Sequence, residues 1–437
     1  MKYQSTTDII RQHLHKNNFY AYKLHQPQIA EKLLNEYREV ASPSNKRNLC
    51  LDKFWSEIHS FGDPREIIAI DLGGTNLNIF KVQVKSEKEI DITDKHSTPF
   101  YENKVYTPEA LFTDLQKEID KFVTSSKERE NLKSIVFIFS FPIEQLTRED
   151  GYVDAVCTYF GKTRKSEGIV GLQVGQAFQD HLRENGYPNV SVSVTNDTPI
   201  YSHADKGHEI NSDEAFDASM NIIVKTGMNI SSKKKKKNME ACKGLRVINT
   251  ECGDFKGVEL STFDEKFKEL NDTPERYLTE KMMSGAWLSQ IFGVIIDDLL
   301  ENEIITKEDL HNIEHHSVTA KELEDFIADP ETPQEKKKVV EFVWREINKR
   351  GGTTGAMILV AMMSELIKIL EKDKINLIIM ETGSVLSKGY RFREALLDVV
   401  DTEVGRLGLS DKVKYTFLDH PDQSAMGAVI FDTFFSQ

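Results

Sequence analysis

The sequence predicts an α/β protein with two domains, and three observations lead to this prediction. The chain has 437 residues, more than one hydrophobic core usually accommodates. Apolar runs of strand length recur along it, and polar or small residues follow several of them, as at Thr195, Asn196 and Asp197. Segments with helical periodicity separate these runs. Because ligands bind at the carboxyl ends of strands in open α/β sheets, we expect the functional residues there.

The composition restricts the classes of partner. The formal net charge of −14 disfavours nucleic acid, whose backbone attracts basic surfaces. An anionic substrate remains compatible with it, because local fields can override net charge. No CxxC pair suggests a zinc or redox site, and scattered cysteines are typical of a reducing compartment; they are Cys50, Cys157, Cys242 and Cys252.

No segment is predicted to span a membrane. The N-terminus is polar and lacks the apolar core of a signal peptide. The most apolar helical segment, 355–370, contains Glu365 and Lys368 and is too short to cross a bilayer. We therefore expect a soluble, cytoplasmic protein.

The elements are predicted in order as follows. Residues 1–61 are expected to be helical. A hairpin follows at 67–84, then a helix at 108–123 and a buried strand at 135–139. Further strands are predicted at 190–194, 221–224, 247–248, 377–380 and 413–417. After residue 275 the chain becomes mostly helical, and a last helix begins near Ser424.

Five consecutive lysines occupy positions 233–237. Such a run could bind an acidic surface or lipid. In an acidic protein a solvated loop between two strands is the simpler interpretation, and we expect that loop.

The hairpin contains a candidate phosphate-binding turn. Its first apolar run ends in Asp71, and Gly73-Gly74-Thr75-Asn76 follows. Adjacent glycines lack the Cβ atoms that would keep an anion from the backbone, and N–H groups with the Thr75 hydroxyl can hold phosphate. Asp71 is compatible with phosphate only if a hard cation such as Mg²⁺ lies between them. Taken alone, the stretch is better explained as an ordinary hairpin.

Several short motifs in a fixed order make a phosphate-binding turn the better interpretation of this hairpin. Together they resemble the hexokinase family of sugar kinases, from about residue 60 to the C-terminus. The motifs are Asp71-Leu-Gly-Gly-Thr-Asn76, Ser140-Phe-Pro142, Lys162 with Ser166-Glu-Gly168, Asn196-Asp-Thr198, Thr226-Gly-Met-Asn229, Asn249-Thr-Glu251, Glu280-Lys-Met282 and Thr382-Gly-Ser384.

The resemblance implies the actin-like ATPase (ribonuclease H-like) fold, an α/β fold with two domains around a deep cleft. By this resemblance the small domain comprises residues 62–197 and the large domain residues 198–423. The helices of residues 1–61 would pack on the large domain. The C-terminal helix, 424–437, would return to the small domain.

The resemblance also implies the sugar site. Asp197 matches the catalytic aspartate and would accept the proton of the sugar's 6-hydroxyl. An Asp at this position is otherwise a common helix N-cap. The residues that match sugar contacts are Ser140, Lys162, Asn196, Asn229, Glu251 and Glu280. For Glu280 and Lys162 the alternative is a solvated charged side chain.

On the nucleotide side, the resemblance implies ATP and Mg²⁺. Asp71 would hold the metal through water. The first phosphate turn would comprise Gly73, Gly74, Thr75 and Asn76. Thr226 and Gly227 resemble the second phosphate turn, Gly383 and Ser384 the adenosine-side turn, and Ser424 a degenerate helix start that faces the nucleotide.

Four positions depart from the family pattern. Gly161 stands where a threonine normally precedes the sugar lysine, although Thr163 is close. Asn78 replaces an arginine beside the first phosphate turn, and Cys252 replaces a tryptophan. Lys225 replaces the first glycine of the second turn. Its side chain could crowd the backbone, or its ammonium could bind phosphate and compensate for Asn78.

We expect an ATP-dependent hexokinase that phosphorylates the 6-hydroxyl of a hexose, glucose first, at the start of glycolysis. The partners are the hexose and the nucleotide, and the protein is expected to be a monomer or homodimer without a fused second unit. The alternative is a catalytically weak, sugar-binding sensor or regulator, which Asn78 and Lys225 favour. An actin-like ATPase is disfavoured by the sugar residues, and a P-loop kinase by the absence of GxxxxGK[ST].

Overall fold

The computed structural model describes most of the chain. The described residues are 5–20, 26–40, 48–51, 64–74, 76–86, 89–100, 104–160, 165–201, 216–235, 245–271, 273–370, 372–419 and 422–435. The strands are β1 (Asn48–Leu51), β2 (Arg65–Leu72), β3 (Asn76–Ser86), β4 (Glu89–Pro99), β5 (Val105–Tyr106), β6 (Ser134–Phe139), β7 (Ile143–Thr147), β8 (Val153–Cys157), β9 (Lys165–Ser166), β10 (Ser191–Thr195), β11 (Ala218–Val224), β12 (Met228–Lys235), β13 (Leu245–Asn249), β14 (Ile375–Thr382) and β15 (Val413–Asp419).

Thirteen α-helices with both ends in the described part of the chain accompany these strands. They are α1 (Thr6–Lys16), α2 (Gln26–Val40), α3 (Pro108–Ile119), α4 (Ser126–Asn131), α5 (Val174–Glu184), α6 (Thr262–Glu269), α7 (Leu278–Met283), α8 (Leu288–Glu301), α9 (Ala320–Ala328), α10 (Gln334–Leu370), α11 (Ser384–Lys388), α12 (Phe392–Arg406) and α13 (Gln423–Phe435). Short 3₁₀ turns lie at Cys252–Asp254 and Lys307–Leu310.

Two mixed sheets form the framework. The smaller sheet has five strands in the order β10-β6-β2-β3-β4, and the larger has six in the order β1-β13-β12-β11-β14-β15. In the smaller sheet β10, β6 and β2 run parallel and the β2–β3 hairpin is antiparallel. In the larger sheet β11, β14 and β15 run parallel and β12 and β13 continue antiparallel. The parallel strands of each sheet therefore present their carboxyl ends along one edge.

Sequence patterns account for these elements. Every residue of β6, SIVFIF, is buried, as expected of a central strand covered on both faces. Thr107 caps α3 and Pro108 stands in its first turn, where a missing N–H costs nothing. Ser125 begins α4 with a reciprocal capping box to Glu128.

The terminal helices pack on different sheets. Leu33 and Tyr37 of α2 share a core cluster with strand residues of the larger sheet such as Met220. In α13, Ala428 and Phe431 pack in a cluster with residues of the smaller sheet such as Ile67. The division of the chain into the two predicted domains stays a prediction.

Three expectations about the elements were wrong. Residues Asn48–Leu51 form a strand that pairs with β13, although a helical N-terminal region was predicted. Lys233, Lys234 and Lys235 belong to β12 rather than to a solvated loop, and the Lys233 side chain is buried. A strand that ends in lysines is possible because only every second side chain faces the core. Positions 236 and 237 lie outside the described residues.

The third correction concerns the apolar segment at 355–370. It forms the second half of α10, a helix of 37 residues, so the argument that it is too short was wrong. By length and composition α10 could cross a membrane, but 78% of its most apolar window is buried inside the protein, as in a core helix. It packs against α2, α7, α8 and α12.

Candidate functional site

A cavity of about 370 Å³ lies where the strand ends of the two sheets face each other. Many residues singled out in the sequence line it together. They are Gly74, Ser140, Asn196, Asp197, Thr226, Gly227, Asn229, Glu251 and Glu280. Lys162 and Thr75 lie outside the described residues. The structure thus brings together residues that stand up to 206 positions apart, from Gly74 to Glu280.

Asp197 follows β10 and opens a helical segment, residues 197–201. The residue is buried, and its Oδ1 atom accepts a hydrogen bond of 3.1 Å from the Thr198 hydroxyl. The neighbouring Asn196 accepts from the Thr198 N–H through Oδ1 at 3.1 Å and therefore acts as the N-cap. Asp197 is thus released from the capping role that was its alternative explanation.

A chain of amides holds the acidic side of the cavity. The Asn229 amide donates to the Thr198 hydroxyl at 3.0 Å and to the Asn249 Oδ1 atom at 2.7 Å. The Asn249 amide in turn donates to Glu251 Oε1 at 2.9 Å. Glu251 adopts a left-handed backbone, with φ +49°, which is uncommon for a residue with a Cβ. These hydrogen bonds fix the Glu251 carboxylate at the cavity wall.

Glu280 is tied into the cavity rather than solvated. It lies in the first turn of α7, and its Oε2 atom accepts the Met228 N–H at 3.1 Å. The Trp287 indole N–H donates to Oε1 at 3.5 Å. The alternative of a solvated glutamate does not fit these contacts.

Ser140 and the two predicted phosphate turns close the other side. The Ser140 N–H donates to the Leu72 carbonyl at 3.2 Å, and its side chain is buried. A Cβ added to Gly74 would lie 3.0 Å from the Thr226 side chain, so the absence of a Cβ at residue 74 lets the two turns approach closely. Gly73 and Asn76 close the first turn by a 2.9 Å N–H to carbonyl bond but do not line the cavity.

Asp71 lies beside the cavity in a cluster that we call the Asp71 cluster: Asp71, Tyr201, Lys225 and Ser424. Asp71 Oδ2 accepts from the Ser424 hydroxyl at 2.7 Å and from the Tyr201 hydroxyl at 3.0 Å. The Lys225 ammonium donates to the Tyr201 oxygen at 3.0 Å and lies 3.7 Å from Asp197 Oδ2. The cluster therefore links the predicted metal ligand to the predicted base.

Electrostatics within the cluster favour the charged lysine. Burial lowers the pKa of Lys225, but Tyr201, Asp71 and Asp197 outweigh it and raise that pKa overall. Burial, assisted by the Asp71 charge, raises the pKa of Tyr201. Tyr201 is thus a neutral hydroxyl between one cation and one anion.

The donor set fits a magnesium ion. Asp71 Oδ1 is buried and has no hydrogen-bond partner among the described residues. Mg²⁺ is commonly held by one or two carboxylates and keeps several of its waters. The unpaired oxygen of Asp71 therefore suits the water-mediated role that the resemblance implies.

The adenosine-side residues lie at the end of β14. Gly383 lines a second cavity of about 320 Å³, together with Arg393 and Asp419, while Ser384 begins α11. Gly383 has φ +123°, and a Cβ there would lie 2.1 Å from the Val224 carbonyl oxygen, so only glycine fits. Ser424, assigned to the nucleotide side, is found in the Asp71 cluster.

Sequence reasoning missed three residues of the site. Tyr201 lies one helical turn after Asp197, and Asn249 lies within a motif that was noted for Glu251. Tyr277 lines the cavity, and its buried hydroxyl has no hydrogen-bond partner among the described residues. Burial raises the pKa of Tyr277 to about 12. The helical spacing from Asp197 could have indicated Tyr201, but no sequence signal points to Tyr277.

Comparison with known proteins gives one consistent result. Two family models, both described as hexokinase, match residues 26–199 and 219–433. Hexokinase-like 1 protein of Arabidopsis thaliana is 24% identical over 401 residues, covering 83% of this chain and 78% of that protein. Glucokinase-1 of Kluyveromyces lactis is 26% identical over 348 residues, covering 68% of this chain and 70% of that one.

Length and fold can be compared as well. The match to hexokinase-1 of Pongo abelii, 27% identical, covers 56% of this chain and only 27% of that protein. The solved hexokinase from Schistosoma mansoni in complex with glucose superposes with a TM-score of 0.71 at 18% identity, covering 98% of this chain and 100% of that one. This likeness confirms the predicted fold. With two hexokinase models matched along most of its length, the chain belongs to the hexokinase family.

Proposed function

We propose that the chain is an ATP-dependent hexokinase that transfers the γ-phosphoryl group of ATP to the 6-hydroxyl of a hexose, glucose first. One observation carries the proposal. Asp197 lies in the same cavity as the sugar-binding candidates that the structure describes and as Gly74, Thr226 and Gly227 of the two phosphate turns. A regulator that only binds sugar has no need of a carboxylate between the sugar-binding residues and the phosphate turns. In a reducing cytoplasm this reaction would begin glycolysis.

Each group in the cavity has a separate task. Asn229, Glu251 and Glu280 orient the sugar hydroxyls, because carboxylates and amides accept and donate hydrogen bonds at fixed angles. Asp197 accepts the proton of the 6-hydroxyl as its oxygen bonds to the γ-phosphorus. The bond from that phosphorus to the β–γ bridging oxygen breaks, and ADP leaves with the electron pair.

The nucleotide is held by the turns. Backbone N–H groups at Gly74 and Gly227, with the Thr226 hydroxyl, are suited to phosphate oxygens. Asp71 would hold Mg²⁺ through water by its unpaired Oδ1 atom. When bound, the ion neutralises phosphate charge that would otherwise repel the attacking oxygen.

A second candidate function rests on one contact. The Lys225 ammonium lies 3.7 Å from Asp197 Oδ2, so the two charges attract each other and the lysine competes with the sugar hydroxyl for this carboxylate. This favours a sugar-binding sensor with little turnover.

The deciding experiment is a coupled assay for sugar 6-phosphate with glucose, ATP and Mg²⁺, run beside glucose binding by calorimetry. We expect wild-type turnover that falls by roughly 10²- to 10⁴-fold in Asp197→Ala, with glucose binding retained. Asp411→Ala, at an exposed position, is the matched control and should change neither. Normal turnover in Asp197→Ala would refute the role of Asp197 as the general base. A wild type that binds glucose without turnover would establish the sensor.

A further inference from the structure

Lys225 is the residue of this chain that the proposed mechanism leaves without a task. It immediately precedes the second phosphate turn, and its N–H donates to the Gly227 carbonyl at 2.9 Å. The turn therefore keeps a closing backbone hydrogen bond although residue 225 carries a side chain where the family pattern has glycine. Its side chain lines the main cavity and is 28% exposed.

The ammonium is held beside the predicted base, close to both predicted phosphate turns. Tyr201 accepts one of its protons at 3.0 Å, and the ammonium also lies 5.0 Å from the centre of the Tyr201 ring. Asp197 at 3.7 Å is too far for a hydrogen bond but attracts the charge. Thr226, the next residue, contacts the first phosphate turn at Gly74. The cation thus stands among the base and both turns.

The ammonium has donor capacity to spare. A lysine ammonium carries three protons, and within the described parts of the chain Tyr201 is its one hydrogen-bond acceptor. The remaining protons are available to a ligand in the cavity. A phosphate oxygen is an anionic acceptor that such a donor binds strongly in a partly dry site.

We propose that Lys225 binds the terminal phosphate of the nucleotide and supplies part of the positive charge that the divalent ion usually provides. The inference rests on the proposed function, since it assigns the phosphate to this end of the cavity. It also answers the question raised by the sequence. Lys225 compensates for Asn78 rather than crowding the turn. Its consequence is nucleotide binding that depends less on Mg²⁺.

The test measures binding rather than turnover. A non-hydrolysable ATP analogue is titrated by calorimetry into glucose-saturated protein, once in excess EDTA and once in Mg²⁺. We expect wild type to bind in EDTA and Lys225→Met to bind there ~10- to 100-fold more weakly, the loss of one charged hydrogen bond. The loss should be smaller in Mg²⁺. Lys225→Arg should retain binding in EDTA within a few fold.

Controls separate charge from folding. Lys412→Met removes an exposed lysine elsewhere and should bind as wild type does. If the melting temperature of Lys225→Met shows that this variant does not fold, Lys225→Gln replaces it. Glutamine is neutral and can still donate a hydrogen bond to Tyr201. Lys225→Gln should show the same loss in EDTA.

Two outcomes would overturn the inference: wild type that fails to bind the analogue in EDTA, or neutral variants that bind as tightly as wild type there. The proposed function is judged separately by turnover. Turnover with binding in EDTA that does not depend on Lys225 would refute only the inference. Binding in EDTA that does depend on Lys225, without turnover under any condition, would support the inference and refute only the kinase.

Discussion

Replacing Asn249 by Asp should weaken sugar binding, although Asn249 is not among the predicted sugar contacts. Its amide donates to Glu251 Oε1 at 2.9 Å, and its Oδ1 atom accepts from Asn229 at 2.7 Å. Asn249→Asp keeps the shape and the acceptor for Asn229. It changes only the donor toward Glu251 into a second carboxylate. The variant therefore isolates the positioning of Glu251.

The magnitude follows from that distance. Losing a hydrogen bond to a charged group costs about 1.5–3 kcal/mol. Two like charges held 2.9 Å apart would repel by about 6 kcal/mol at an effective dielectric constant of 20. Glu251 is only partly buried and can rotate away, so most of that repulsion will be relieved by displacement of its carboxylate. We expect the sugar affinity to fall by ~10- to 150-fold.

The assay is calorimetric titration with glucose in a double-mutant cycle. Glu251→Gln removes the repulsion, so Asn249→Asp should have little further effect in that background. Asn131→Asp, at an exposed helix end, is the control for an added charge. An unchanged affinity in Asn249→Asp, or an equal loss in both backgrounds, would refute the positioning role.

Four further predictions concern other parts of the structure. Gly383→Ala should lower nucleotide affinity while glucose binding is kept, because its Cβ would lie 2.1 Å from the Val224 carbonyl oxygen; equal nucleotide affinity by calorimetry would contradict this. Tyr277→Phe should weaken glucose binding severalfold, because we expect its unpaired hydroxyl to bind the sugar and one hydrogen bond contributes about 1 kcal/mol; identical glucose titrations of the variant and wild type would contradict this. Asp264→Asn should cost about 3–5 kcal/mol of unfolding free energy, because it leaves the buried Arg350 guanidinium without the carboxylate that it contacts at 2.8 Å; a urea midpoint equal to that of Asp411→Asn would refute this. Burial raises the pKa of Cys157 to about 11 and of Cys252 to about 12, so labelling mapped by mass spectrometry at pH 8 should leave both unmodified until the protein unfolds. Because the unfolded thiol ionises near pH ~8.5, this contribution to stability is complete below that pH and is lost as the pH rises toward these folded values; stability that increases over that range would contradict it.

Local patterns predicted the strands and the strand ends well. The runs before Asp71, Ser140 and Asp197 are buried strands, and Ser140 and Asp197 line one cavity while Asp71 lies beside it. These features can be predicted because consecutive residues determine whether a strand is buried on both faces and where its apolar run ends. The same reasoning wrongly predicted a loop at Lys233. A strand can contain consecutive lysines there because β11 and β13 pair with it on both sides.

What sequence could not supply is contact between distant segments. Tyr201 gains its role by meeting Asp71, 130 positions earlier, and Ser424 meets the same oxygen from 353 positions later. Asn249 matters only because β12 and β13 pair and bring it to Asn229. Such hydrogen bonds depend on register and on the orientation of helices, and neither has a local signature.

The return of α13 to the smaller sheet has a consequence for how the protein is made. Ala425, Ala428 and Phe431 help to cover the face of that sheet that carries Ile67 and Phe80. During translation, the strands of the smaller sheet are synthesised long before α13. Apolar surface on this sheet would therefore stay exposed until nearly the whole described chain has emerged from the ribosome. Incomplete chains should be prone to aggregation for that interval, and chaperones that bind exposed apolar strands are expected to be engaged with the nascent protein.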